Sequence, residues 1–122
     1  MPVNVSRWRK SACEIIGSVA DESYQRAAWF GLSRFISSPA EVYNQVFSDL
    51  AFEDFIASPE VALNELERAA ALALVSKMRD FEDVIGQDLS PERVIDHPAW
   101  REVREAAQRV LDALQCRPSP SV

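Results

Sequence analysis

Residues 64–86 read NELERAAALALVSKMRDFEDVIG. Asn64 and Glu67 stand at the spacing of a capping box, in which each side chain satisfies the other residue's backbone N–H. Leu66, Ala70, Leu74, Met78, Phe81 and Ile85 follow at four- and three-residue steps, which is one face of a helix. Gly86 is a natural stop, because glycine enters the left-handed region without steric cost. The stretch predicts a long amphipathic helix over about 65–85. Ala69, Ala71 and Ala73 along it would let neighbouring helices approach closely.

The flanks carry the same kind of punctuation. Val5, Trp8, Ala12, Ile15, Ile16 and Val19 form an apolar stripe that predicts a helix over about 6–20. Asp21 can cap a shorter helix over about 22–30, which Gly31 stops. Leu32 to Ser37 reads as a connector holding Phe35 and Ile36. Ser38-Pro39-Ala40-Glu41 is a strong start signal: a serine cap, a proline in the first turn and a glutamate placed to bond back. That helix runs through Val42, Tyr43, Val46, Phe47 and Leu50, and Phe52, Phe55 and Ile56 suggest a separate turn after it. Ser58-Pro59-Glu60 and Ser90-Pro91-Glu92 mark further breaks and restarts. The last helix begins near Asp96 or His97, with Trp100, Val103, Ala107, Val110, Leu111 and Leu114 facing inward. No run alternates with period two. The expected fold is all-α, an irregular bundle of four longer helices plus short helical turns. One domain is expected over 1–115, followed by a polar tail over 116–122.

Composition narrows the function. The apolar fraction of 48% is that of a globular chain, and no stretch approaches the length of a membrane span. Arg7, Arg9 and Lys10 are followed by a segment that Glu14 and Asp21 interrupt, so it is no signal-peptide core. That points to a cytoplasmic protein with Cys13 and Cys116 as reduced thiols, a disulfide between them being the alternative. The formal charge of −6 is uneven: residues 35–99 hold thirteen carboxylates against four basic side chains. Such a middle would repel nucleic acid and anionic membranes and attract a basic protein.

Little in the chain suggests catalysis. His97 is the single histidine, and its place before Pro98 suits a cap. Neither Glu-x-x-His nor Cys-x-x-Cys occurs, and the three glycines are isolated, so no metal motif or phosphate loop is present. No catalytic residue, cofactor or metal ligand is therefore expected.

Candidate partner-binding residues fall in two classes. Asp49, Glu53 and Asp54 cluster after the third helix, and Asp80, Glu82 and Asp83 at the end of the long one. Negative charge near a helix C-terminus is disfavoured by a few tenths of a kcal/mol. A solvated face that keeps the protein soluble is the usual reading of such clusters, and the placement of the second one weighs toward a surface complementary to a basic protein. Core packing is the first reading of the large aromatics, and if any of them anchors a partner, Trp29 and Phe30, before Gly31, are the candidates.

Tyr24-Gln25-Arg26, Trp29, Ser37-Ser38, Glu41, Val46-Phe47 and Asp49, with His97-Pro98-Ala99-Trp100, Val103 and Ala107, form a pattern across about half the chain. The pattern resembles immunity proteins of contact-dependent growth inhibition and related polymorphic toxin systems. The resemblance implies a cytosolic inhibitor that binds a basic toxin domain, often a nuclease, with the acidic middle mimicking nucleic acid. Two other classes compete: a homodimeric structural or regulatory domain that uses the Trp29–Phe30 patch, and an enzyme with a carboxylate site.

Overall fold

In the computed structural model, which describes residues 4–116, the helices are α1 (Val5–Ala20), α2 (Glu22–Trp29), α3 (Pro39–Asn44), α4 (Phe52–Ala57), α5 (Glu65–Ile85), α6 (Pro91–Val94) and α7 (Pro98–Ala113). No strand occurs among the described residues, and the fold is all-α. The expected tail lies outside the described residues from residue 117 onward.

Local chemistry sets most of the boundaries. Both bonds of the Asn64–Glu67 capping box form, at 2.7 and 2.9 Å. Asp21 accepts from the Tyr24 amide and starts α2. Ser38 accepts from the Glu41 amide, which is half of a capping box. His97 caps α7, its Nδ1 accepting from the Ala99 amide at 3.0 Å. Gly31 and Gly86 follow their helices at φ +73° and +70°, where a side chain would be strained.

The core forms around α7, which packs against both α1 and α5. Lys77 pairs with Glu102 and Phe81 touches Trp100, so α5 and α7 run antiparallel. Trp100 is fully buried among Trp29, Tyr43 and Phe81. Beside it lies Gln25, the one residue of polar type buried in the core among the described residues. Its Nε2 donates to the Ser18 and Val19 carbonyls at the end of α1, and its Oε1 accepts from Trp100 Nε1 at 3.0 Å.

Four expectations are corrected. Cys13 and Cys116 are not reduced thiols: they form a disulfide, with Cα atoms 5.6 Å apart, inside the range a bridge requires. The third helix is not uniform, because α3 widens into a π-helical segment, Gln45–Asp49, in which the Leu50 amide bonds to the Gln45 carbonyl. Ala51 then turns left-handed at φ +52° and redirects the chain, so that Phe52 and Phe55 are fully buried. Leu66 is not core but 69% exposed. It lies eight residues before Leu74 and so is rotated by about 80° off the buried stripe. Trp29, a candidate partner anchor, is only 7% exposed and belongs to the core, which is the first reading of the large aromatics.

Gly17 is the exception among the glycines. It lies within α1, and an added Cβ would meet nothing within 4 Å. Glycine in a helix interior costs about 0.5–1 kcal/mol relative to alanine. Gly17→Ala is therefore expected to raise the midpoint of urea unfolding, with no change in slope.

Candidate functional site

The two acidic clusters meet through a residue the sequence reading passed over. Arg79 of α5 donates to Glu53 of α4 at 2.8 Å and lies 3.6 Å from Glu82. Its guanidinium sits 4.1 Å above the Phe47 ring, a cation–π contact worth about 0.5–1 kcal/mol at an exposed site. Asp83 is one turn on from Arg79 along the same outward stripe. Asp80 lies three residues on from Lys77, which pairs with Glu102 of α7. The structure thus joins Glu53 and Glu82 through Arg79, while Asp80 and Asp83 are exposed and join no ion pair among the described residues.

Glu53 and Asp54 also serve the fold. They occupy the first turn of α4, whose N-cap Ala51 offers no side-chain bond. Negative charge there stabilises the open amides by about 0.3–1 kcal/mol. Asp49, at the end of the π-helical segment, and Asp54 are exposed and join no ion pair among the described residues.

Tyr43 fixes the platform beneath Arg79. Its ring stacks on Phe47, and its hydroxyl donates to the Met78 carbonyl at 2.7 Å. Burial, with Glu82 adding to it, pushes the Tyr43 hydroxyl above the ordinary tyrosine range. The folded chain keeps that proton where the unfolded chain releases it. Stability from this group is full below about pH 10 and falls as pH rises further. Tyr43→Phe is expected to cost about 1 kcal/mol at neutral pH and to flatten the alkaline fall, as read by denaturant titrations between neutral and alkaline pH.

Compared with protein families, with curated proteins and with solved structures, the chain matches none.

The aromatic pair divides. Trp29 packs on Trp100 at 5.9 Å, and its Nε1 has no hydrogen-bond partner among the described residues. Phe30 is 39% exposed and opens an apolar connector in which Leu32, Phe35 and Ile36 are 79%, 57% and 87% exposed. The sequence held a signal for this patch: no carboxylate occurs from Ala27 to Ala40, within a chain that has nineteen.

Three other carboxylates are tied up within the fold. Glu22 sits between Arg26 and Arg104, and the Arg26 bond, then the Arg104 charge, holds its carboxyl below the usual range. Asp96 pairs with Arg26 at 2.6 Å. Asp88 is lowered by its bonds to Arg93 and Ser90. No group of three or more His, Cys, Asp or Glu placed to hold a metal occurs among the described residues.

Proposed function

We propose that the chain is a non-enzymatic protein-binding domain that neutralises a basic toxin domain, as the immunity proteins it resembles do. The observation that carries this reading is the α4–α5 face. There Glu53 and Glu82 pair with one arginine, Asp83 is exposed one turn on, and Asp49 and Asp54 on the neighbouring segments join no ion pair among the described residues. Such a field speeds association with a cationic partner and rejects acidic ones. Its setting is a separate matter. No helix among the described residues is long and apolar enough to cross a membrane. The Cys13–Cys116 disulfide supports an oxidising compartment rather than the expected cytoplasm.

The test is co-production with the protein encoded beside it, followed by charge reversal. Asp49→Lys, Asp54→Lys and Asp83→Lys together leave the Arg79 pairs intact. They are expected to weaken the complex about 10- to 100-fold at low salt and to flatten its salt dependence. Unchanged affinity at low salt would sink the charge-based reading.

The exposed connector from Phe30 to Ile36 favours a second reading, a homodimer closed over that patch. Concentration-dependent association that Leu32→Ser with Ile36→Ser abolishes would support it.

A further inference from the structure

A groove that shares no residue with the Arg79 face lies where α1, the start of α2 and the end of α7 meet, with an open volume of about 1280 Å³. Small-molecule sites are mostly enclosed cavities of roughly 300–1,000 Å³, so its size and openness suit a length of polypeptide. Ile15, Tyr24 and Leu111 give it apolar lining. Glu14, Asp21, Glu22 and Asp112 also line it, and no described lining residue is basic. Glu22 is offset by Arg26 and Arg104. The other three carboxylates join no ion pair among the described residues.

Gly17 is an independent observation at the same place. It lines the groove in helical backbone, so no turn requires it, and its Cβ position is open space. Packing within the chain gives no reason for a residue that weakens the helix. What the missing side chain does leave is α1 backbone open to close approach.

We propose that this groove docks a basic amphipathic helical segment of a partner protein. Its apolar face would rest on Ile15, Tyr24 and Leu111, and its lysines or arginines would meet Glu14, Asp21 and Asp112. The segment passes close over Gly17. Apolar anchors on one face with charges at the rim are the recurring form of helix-in-groove recognition. Because the Arg79 face contributes nothing here, the two surfaces stand or fall separately.

The probe is a labelled helical peptide of leucine and lysine, with its leucines confined to one face, titrated onto the full chain. Saturable binding is expected, and none when glutamate replaces each lysine. Gly17→Leu, for which the backbone and the open space leave room, should weaken binding about tenfold or more. The triple lysine variant of Asp49, Asp54 and Asp83 should leave it within about twofold. Amide shifts in the unaltered protein should centre on Gly17 and Leu111. The proposal is overturned by shifts centred on Arg79 and Asp83, or by a folded Gly17→Leu that binds as the parent does. Equal binding of the two peptides, or no binding of the lysine peptide, overturns it too.

Discussion

Reduction of the Cys13–Cys116 disulfide, or replacement of both cysteines by serine, is expected to destabilise the domain by about 3–5 kcal/mol. The bridge spans 103 residues, nearly the whole described chain. A cross-link acts largely by shrinking the unfolded ensemble, and that effect grows with the logarithm of the loop it closes. Here the loop includes α2 to α7 entire, together with the second half of α1. At about 4 °C per kcal/mol for a domain of this size, melting should fall by about 12–20 °C. Both cysteines are only half-buried, so reductant can reach them. Thermal unfolding with and without reductant, with intact mass reporting the thiols, checks this. Equal melting temperatures for chains shown to be oxidised and reduced would refute it.

Gln25→Leu is expected to cost about 3–5 kcal/mol, although it puts a side chain of similar size, and a more apolar one, into the core. Gln25 is fully buried and serves three partners: the Ser18 and Val19 carbonyls and Trp100 Nε1. Leucine leaves all three without a bond, two of them, the Val19 carbonyl and Trp100 Nε1, in buried surroundings, where each such group costs about 1–3 kcal/mol. Relaxation and the extra apolar contact return part of that sum. The partners belong to α1 and α7, so the loss also loosens the joint between these helices and α2. Trp100→Phe in the Gln25→Leu background removes one orphaned N–H, so its cost should be smaller than in the parent. Additive losses in that cycle would show that the three bonds do not act together.

The parts of this fold written in local chemistry were legible from sequence. Asn64 and Glu67, Asp21, Ser38 and His97 act within a few residues of themselves, and each caps the helix that its spacing announced. What tertiary packing decides was not legible. Cys13 and Cys116 lie too far apart in the chain for spacing to indicate a bond, and only the antiparallel course of α1 and α7 brings them together. Val42, Val46 and Leu50 recur at a regular helical step, yet the burial of Phe52 and Phe55 is met by a π-helical widening and a left-handed alanine. The acidic residues were visible as charges. That Arg79 would tie Glu53 to Glu82 needed α4 laid beside α5. Trp29 and Phe30 are neighbours in sequence, but one turns into the aromatic core and the other out to solvent.

The bridge from α1 to the end of α7 has a mechanical consequence. A pull applied at the two ends of the chain is carried across Cys13–Cys116 and bypasses the helices between them. With 103 residues of separation inside the closure, roughly 350 Å of contour stays hidden from the load. Stretched in an oxidising solution, the domain should lengthen only by the short segments outside the bridge. Once the sulfurs part, the same pull should release that hidden length.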